Sequence, residues 1–302
     1  MSTARTLGHY VLHGRGLTYN DPLELPNNYA VGIELELEGV SEPPDINRNL
    51  WSIVPDGSLR NNGTEIICAR PLSGGVLEGA LVDLESSLMN LEFDLSERCS
   101  THIHLDATDM TVPQLVNFLI LSSIFENSLF TLFGAERRAN TFCLSTDRGS
   151  SNFSHFCSLG CKPTPQKLFD LRWSKYAGIS LNRMRDLGTV EFRMFSPLTK
   201  KADYMRVLKF LFAMKQEAMS MESIQEIITY KKAHTLSDLF SRIFPDEAFS
   251  EGYEEDIESG IQLANDIIMS IELQQTIKER TTKLREEVDS LQTQIYELEG
   301  GV

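Results

Sequence analysis

The chain has 302 residues, of which 41% are hydrophobic and 24% are charged. This length is sufficient for one large domain, or for one domain with an appendage, around a substantial core. The formal net charge of −15 argues against nucleic acid or an anionic membrane as the main partner, because both attract a basic surface. No apolar run of roughly 18 residues is present, so we expect no membrane-spanning helix and no membrane partner.

The five cysteines are an odd number and are scattered along the chain. The first residues contain no apolar run of signal-peptide length. These features predict reduced thiols in a cytoplasmic protein, of a bacterial or phage-infected cell. Cys157 and Cys161, with His155 nearby, allow a zinc site as an alternative, but the C-x3-C spacing has no second pair, so buried or loop thiols are the preferred interpretation.

The first predicted elements are an irregular segment and a strand. Residues 1–28 are rich in Gly, Asn and Pro. The following segment alternates strictly, with apolar residues on one side and Glu34, Glu36 and Glu38 on the other, and this period of two predicts a strand. Like charges on one strand face need either solvent or a counter-charge. The strand alone is therefore compatible with a solvated edge and with a charged site.

The next elements mix strands and helices without regular strand–helix alternation, which favours an α+β fold. TEIICARPL, from Thr64, predicts a strand after the turn-rich PDGSLRNNG, and residues 75–91 predict a helix. Residues 100–108 alternate again, with His102 and His104 on one face. Pro113 begins an apolar helix that runs to about residue 133. SKYAGISLNRM and GTVEFRMF then predict a strand pair, and ADYMRVLKFLFAMKQEAM predicts a helix.

Residues 221–302 differ from the preceding part and predict a helical extension. Near its end, heptad spacing holds for Ile277, Leu284, Leu291 and Leu298. Val288 and Ile295 occupy the complementary heptad positions, whereas Gln274 and Thr281 interrupt them. A short coiled coil from about residue 270, or a helix packed back on the domain, fits this pattern. The first of these predicts a homo-oligomer formed through the C-terminal helix.

Four predicted strands each place Glu, His or Arg on one face and apolar residues on the other. Each pattern alone is also typical of a surface: an H-x-H pair is often exposed, and Glu191 with Arg193 is often a surface ion pair. Together they match a site for metal ions and phosphate, because oxygen ligands with an imidazole suit Mg²⁺ or Mn²⁺ and arginine binds phosphate. No Walker loop or G-x-G-x-x-G fingerprint is present, so metals and side chains would hold any nucleotide.

A set of motifs in this order resembles the amidoligase family. The motifs are GIELE (32–36), PDGS (55–58), TEII with RPL (64–72), THIHLD (101–106), ERRANTFC (136–143), KYAGISLN (175–182) and TVEFRMF (189–195). The resemblance covers residues 29–218. That family belongs to the carboxylate–amine ligase superfamily, together with glutamine synthetase and glutamate–cysteine ligase. The resemblance implies a catalytic domain at residues 29–220 with a curved antiparallel sheet like that of glutamine synthetase and with helices on its convex face.

The activity implied by the resemblance is ATP-dependent joining of a carboxylate to an amine, through an acyl phosphate and with two Mg²⁺ or Mn²⁺ ions. Small molecules or peptides would supply the carboxylate and the amine. By resemblance, Glu34 and Glu36 bind different metals. Asp56 and Glu65 complete the first metal site. His102 and Glu191 complete the second.

The remaining implied roles concern the nucleotide and the transferring phosphoryl group. His104 and Asn182 are implied to contact the nucleotide. Arg193, beside Glu191, is implied to neutralise the phosphoryl group. Arg137 or Arg138 is implied to hold phosphate or the substrate carboxylate. Glu38 lies outside this pattern.

Three alternatives remain. The chain is also compatible with an inactive structural or assembly protein, of phage type, that keeps the fold and oligomerises through its helix. Retention of every acidic and histidine position argues against this alternative, because unused buried carboxylates are costly. A guanidine-kinase-like phosphotransferase, and a binding module with an acidic face, are the other two.

Overall fold

The computed structural model describes residues 6–9, 30–159, 164–298 and 300. Most of the predicted irregular segment 1–28, and Cys161 of the alternative zinc site, lie outside these residues. Residues Leu7–His9 form a 3-10 turn. The Leu7 side chain is buried, and its N–H donates to the Met110 carbonyl at 2.7 Å.

The described part of the chain is a mixed α+β fold with one open antiparallel sheet of six strands. The strands are β1 Val31–Leu37, β2 Trp51–Pro55, β3 Thr64–Cys68, β4 Thr101–Asp106, β5 Ile179–Ser180 and β6 Thr189–Phe195. Their order across the sheet is β2-β3-β1-β4-β6-β5. The strands with the strongest charge alternation, β1, β4 and β6, are therefore neighbours at the centre.

In the chain, helices lie between the strands and after the last strand. They are α1 Gly74–Leu88, α2 Val112–Phe133, α3 Ser150–Leu159, α4 Pro165–Asp170, α5 Met184–Leu187, α6 Lys201–Ser220, α7 Gln225–Ala233, α8 Leu236–Ile243 and α9 Glu254–Leu298. The predicted strands and the helices at 75–91, 113–133 and 202–219 are confirmed. Strand β2 was not predicted, because WSIVP does not alternate and has only one fully buried side chain, Trp51.

The apolar sides of the strands form the floor of the core. On β1, Val31, Ile33, Leu35 and Leu37 are all buried. Helix α2 packs across this face, with the rings of Phe118 and Phe192 in edge contact at 5.9 Å. Burial of such a face is the main favourable contribution to folding, at roughly 25 cal/mol per Å² of apolar surface. It also fixes which residues of each strand point the other way.

By its length and composition, helix α2 could cross a membrane, but 78% of its most apolar stretch is buried inside the protein. Its apolar character is accounted for by packing in the core, where it contacts β6, α6 and α9.

The core does not end at residue 220, where the sequence analysis divides the chain. Ile227, Phe240 and Ile257, from α7, α8 and α9, belong to the same cluster of buried apolar residues as the sheet. The first part of α9 lies against α2, and a Cβ at Gly260 would lie 2.0 Å from the Ile124 carbonyl oxygen. From residue 272 to 298 every side chain of α9 is exposed. The extension is thus partly core and partly an exposed helix.

Candidate metal and nucleotide site

Strand register brings the predicted site residues together. In β1 and β4, Glu34 lies opposite His102, and in β4 and β6, His104 lies opposite Glu191. In β1 and β3, Glu36 lies opposite Glu65. Because side chains alternate across a strand, these residues all lie on the side of the sheet away from the core, which we call the polar face.

The polar face carries three overlapping groups of candidate metal ligands. In each group, one ligand atom per residue lies within 4.8 Å of the others. The groups are Glu36–Asp56–Glu65, Glu34–Glu65–His102 and Glu34–His104–Glu191. Glu65 and Glu34 are each shared by two groups, so the candidate ligands form a continuous row from the β2–β3 loop to β6.

His102 is at the centre of this row. Its Nδ1 lies 3.1 Å from Glu34 Oε2, and its Nε2 lies 2.8 Å from the Ser100 hydroxyl. Ser100 donates its single hydroxyl hydrogen to Glu36, so an N–H of the ring must donate to Ser100. The other ring nitrogen, Nδ1, faces the Glu34 carboxylate.

The carboxylates of the row influence one another strongly. Burial acts to raise the pKa of Glu34, but its close contacts with His102 and His104 outweigh burial and hold that pKa far below its usual range. Glu65 shows the opposite shift. Burial, followed by the negative charges of Glu34, Glu36 and Asp56, raises the pKa of Glu65 to about 8. Without a cation, Glu65 is therefore protonated at neutral pH.

Asp56 enters the row from the loop between β2 and β3. Its two carboxylate oxygens accept from the Ser58 N–H at 2.7 Å and the Ser58 hydroxyl at 2.9 Å. Arg98 donates to the Ser58 carbonyl at 2.9 Å, and its guanidinium lies 4.8 Å from the centre of the Phe142 ring. Arg98 thereby holds the loop that presents Asp56.

At the other end of the row, His104, Glu191 and Arg193 lie together. His104 Nε2 is 3.0 Å from Glu34 Oε1, although the two are not aligned as a hydrogen bond. Its Nδ1 lies 3.2 Å from the Thr189 hydroxyl. Glu191 is paired with the Arg193 guanidinium, whose side chain is 23% exposed. Arg193 can therefore contact a bound anion at the edge of the row.

The structure does not bring four of the residues considered in the sequence into this row. Arg137 is buried and donates to the Cys99 carbonyl at 2.8 Å, so it braces the start of β4. Arg138 pairs with Asp256 at 2.6 Å and so joins the segment after α2 to α9. Asn182 bonds both the N–H and the carbonyl of Trp173. Glu38 accepts from the Arg60 N–H at 2.7 Å.

These contacts place the two arginines and the asparagine outside the row, and their implied roles in phosphate or substrate binding stay predictions. A charged or amide residue in a motif shows that a polar contact is needed, but not where the side chain points. Arg137, Arg138 and Asn182 use their donors on backbone carbonyls and on Asp256.

Sequence reasoning also missed polar-face residues. Ser100 precedes His102 by two positions, so the two side chains lie on the same face, where Ser100 contacts His102. Thr189 precedes Glu191 by two positions and therefore lies on the same face as Glu191. Extending the strand alternation by one step would have identified them. Arg98 and Ser58 had no such signal, because their contact joins two loops.

The donor set fits a hard divalent cation. Carboxylate oxygens dominate each group and imidazole nitrogen supplements two of them, which matches the preferences of Mg²⁺ and Mn²⁺. Thiols are not among the ligand atoms of the three groups. Cys143 and Cys157 are buried. The geometry therefore agrees with the donor chemistry of Mg²⁺ or Mn²⁺ better than with that of a thiolate zinc site.

Comparison with known proteins gives little further support. No family model matches the chain, and no curated protein matches its sequence. Among solved structures, a bifunctional glutathione synthetase from Pasteurella multocida is similar, with 12% identity and a TM-score of 0.38 over 81% of this chain and 50% of that chain. This chain thus spans about half the length of that synthetase. A likeness this loose supports no conclusion about the reaction.

Proposed function

We propose that this chain is an ATP-dependent carboxylate–amine ligase that acts through an acyl phosphate with two divalent cations, on a sheet like that of glutamine synthetase. One observation carries the proposal: acids and imidazoles from β1, β3, β4 and β6 converge on one face in three overlapping ligand groups. The resemblance of the motifs to the amidoligase family supplies the reaction type. ATP, a carboxylate and an amine are the proposed substrates.

The electrostatics of the polar face support cations and phosphate rather than a merely solvated acidic surface. Glu36, His102, His104 and Glu191 are each less than a tenth exposed. Burial of several carboxylates side by side is unfavourable unless positive charge accompanies them. Arg193 supplies part of that charge, and the raised pKa of Glu65 indicates that more is needed.

The proposed reaction has two steps. A carboxylate oxygen of the substrate attacks the γ-phosphorus of ATP and ADP leaves. The amine nitrogen then attacks the acyl carbon, phosphate leaves, and the nitrogen loses a proton. Divalent cations, when bound, supply charge neutralisation for the phosphate oxygens. The chain must align the reacting groups and exclude water.

The residues of the chain divide these tasks by position. To Arg193, which pairs with Glu191 and is partly exposed, we assign the contact with the γ-phosphoryl oxygens. To His104, which lies beside the Thr189 hydroxyl, we assign a contact with a phosphate beside Glu34. Asp56, held by hydrogen bonds from Ser58, is the last residue of the row, at the loop between β2 and β3. We expect Glu191→Gln or Arg193→Ala to lower the rate on the order of 10²–10³, which is typical for the loss of one preorganised charge contact.

Trapping of the acyl phosphate tests the proposal without knowledge of the natural amine. The protein is incubated with Mg·ATP, hydroxylamine and a panel of amino acids and short peptides. We expect a hydroxamate product together with ADP and phosphate, in amounts that depend on Mg²⁺ and fall in the Arg193→Ala variant. Glu286→Gln, on the exposed part of α9, is the matched control and should retain full activity.

The other functions give different products. A guanidine-kinase-like enzyme would form a stable phosphorylated compound without hydroxamate. An inactive structural relative would bind Mn²⁺ or Mg·ATP weakly or not at all in calorimetry, and would form no ADP with any carboxylate. Either result would replace the ligase proposal.

A further inference from the structure

The end of α9 exposes an unusual amount of apolar surface. Of the thirteen exposed large apolar side chains in the described part of the chain, nine belong to α9. Six of them are between 51% and 87% exposed and form a line that we call the apolar seam: Ile277, Leu284, Val288, Leu291, Ile295 and Leu298. Scattered exposed apolar residues are common, but a contiguous apolar strip marks an interaction surface.

The first part of the helix that carries the seam is held against the domain by several contacts. Asp256, near its start, accepts from Thr131 and from Arg138, each at 2.6 Å. Gly260 lies against the Ile124 backbone with no room for a Cβ. From residue 272 to 298 the helix is exposed on all sides, over a length of about 40 Å. The seam therefore projects from the domain on a fixed base.

The seam has the composition of a two-stranded coiled coil. In heptad notation, the d positions are Ile277, Leu284, Leu291 and Leu298, and the a positions are Gln274, Thr281, Val288 and Ile295. β-Branched residues at a with leucine at d favour parallel dimers over larger bundles. Thr281 fits this rule, because its hydroxyl donates to the Ile277 carbonyl at 2.8 Å within the helix and leaves its methyl group for packing.

The seam is also large enough for a stable pair. Full burial of a Val, Leu or Ile side chain removes roughly 100 Å² of apolar surface from water. Two copies of the seam would therefore bury on the order of 1,000 Å² through these side chains alone, which reaches the size expected of a specific interface. A second copy of the chain always presents the same heptad register, so the fit needs no further partner.

We propose that two copies of this protein associate through a parallel, two-stranded coiled coil from Ile277 to Leu298. In this arrangement the two domains lie at the same end of a shared stalk. The interface is separate from the polar face, so it stands whether or not the protein is a ligase. The neighbours of the seam make its orientation testable.

Charged residues flank the seam at the e and g positions. Lys278 and Arg285 are at e, while Arg280 and Glu287 are at g. In a parallel pair, g of one helix faces e of the next heptad in its partner, so Arg280 lies near the second copy's Arg285 and repels it. In an antiparallel pair aligned on the same seam, Arg280 instead lies near the second copy's Gln294, which is uncharged. The charge at position 280 therefore affects a parallel pair and not an antiparallel one.

Analytical ultracentrifugation of the full chain measures the association. We expect a mass near twice 34.1 kDa that does not increase further with concentration. Leu291→Asp, in the seam, should weaken the dimer at least about 100-fold, because it places two charges in the apolar contact. Thr293→Asp, two residues later on the outward face, is the matched control and should leave the dimer unchanged. Near-ultraviolet circular dichroism verifies that the domain stays folded in both.

Arg280→Glu tests the orientation. A parallel dimer should become about 3- to 10-fold tighter, because two repulsive contacts become attractive, and this gain should shrink in high salt. An unchanged or weaker dimer would overturn the parallel arrangement. A monomeric wild-type chain, a larger assembly, or a dimer that tolerates Leu291→Asp would overturn the proposal as a whole.

Discussion

The polar face of the sheet and the apolar seam of α9 depart from ordinary burial in opposite directions. The polar face buries groups that usually stay in water, such as Glu36, His102 and Glu191. The seam leaves in water groups that usually are buried, such as Leu284 and Leu291, each more than half exposed. Buried polar groups and exposed apolar strips are the informative exceptions in a folded protein.

The two regions differ in how strongly their side chains depend on one another. On the polar face each side chain touches several others: Glu34 lies beside both His102 and His104, and Ser100 joins Glu36 to His102. Removing one group therefore disturbs the rest. The seam repeats one simple contact, and its residues do not depend on one another within a single chain. We expect changes on the polar face to alter cation binding alone, and changes in the seam to alter association alone.

The largest expected effect is that of Glu34→Gln on cation binding. Glu34 belongs to two of the three ligand groups. Even substitutions outside the ligand shell typically cost 10- to 100-fold in metal affinity, so loss of this carboxylate should weaken Mn²⁺ binding at least about 100-fold. Isothermal titration calorimetry measures the affinity, and ultracentrifugation should show the same association as in the unaltered chain.

Glu38→Gln is the matched control for this variant. Glu38 continues the same alternation, but it accepts from the Arg60 N–H and belongs to none of the three groups. Its substitution should leave Mn²⁺ affinity nearly unchanged. Equal losses in the two variants would mean that the acidic strand binds cations by overall charge and not through a defined row.

The sequence predicted the polar face because its signal is local. Alternation along β1, β4 and β6 shows which side of each strand a residue occupies, and an apolar opposite side shows which side meets the core. This reasoning identified Glu34, His102 and Glu191. It did not establish that Glu34 lies opposite His102, because strand register depends on contacts across the sheet, including the irregularity between Thr101 and Ile103.

For residues outside regular strands, the sequence carries no comparable signal of where a side chain points. Arg137 and Arg138 are adjacent, yet one braces β4 and the other reaches α9. Nothing in their spacing distinguishes these directions. The division at residue 220 reflected a change in composition, whereas Phe240 and Ile257 fill the same core as the sheet. Heptad spacing predicted which residues form the seam, and the structure shows where α9 leaves the core. The coiled coil itself stays a prediction.

Glu126→Gln measures how much a buried carboxylate destabilises the folded protein at a position outside the polar face. Glu126 is buried in α2 and accepts from the Thr146 N–H at 2.8 Å. Burial raises its pKa from 4.5 to about 7, against hydrogen bonds from Thr146 that lower it. A raised carboxyl pKa favours the folded state at low pH, and this contribution is lost as the pH rises from 4.5 through 7.

We therefore expect Glu126→Gln to be more stable than the unaltered chain by about 3 kcal/mol at pH 8. The difference should vanish well below pH 4.5, where the carboxyl group is neutral in both the folded and the unfolded states. Urea unfolding at several pH values measures it. Mn²⁺ binding should not change, because Glu126 belongs to none of the ligand groups. A pH-independent difference in stability would contradict the assignment.

Gly260→Ala tests the packing of the first part of α9 against α2. The added methyl group would meet the Ile124 carbonyl oxygen at 2.0 Å, so α9 must move away from α2. Overpacking of this kind costs about 1–3 kcal/mol, measurable by urea unfolding. Gly79→Ala, in α1, is the matched control, because a Cβ there has no heavy atom within 4 Å. It should stabilise the protein by roughly 0.5–1 kcal/mol, as alanine does in a helix.

The smallest expected effect is the pH dependence of cation binding, which follows from Glu65. Its pKa is raised to about 8, first by burial and then by the charges of Glu34, Glu36 and Asp56. A cation must displace the proton on Glu65, so affinity for Mn²⁺ should rise by up to about tenfold per pH unit below pH 8 and level off above it.

Calorimetry in buffers of different ionisation enthalpy measures the number of protons released on Mn²⁺ binding. That number should fall above pH 8 in the unaltered chain. In Glu65→Gln it should be lower by about one at pH 7, while Glu38→Gln should release as many protons as the unaltered chain. If Glu65→Gln bound Mn²⁺ as tightly and with the same proton release, Glu65 would not be a ligand, and the row of ligand groups would be broken between β1 and the β2–β3 loop.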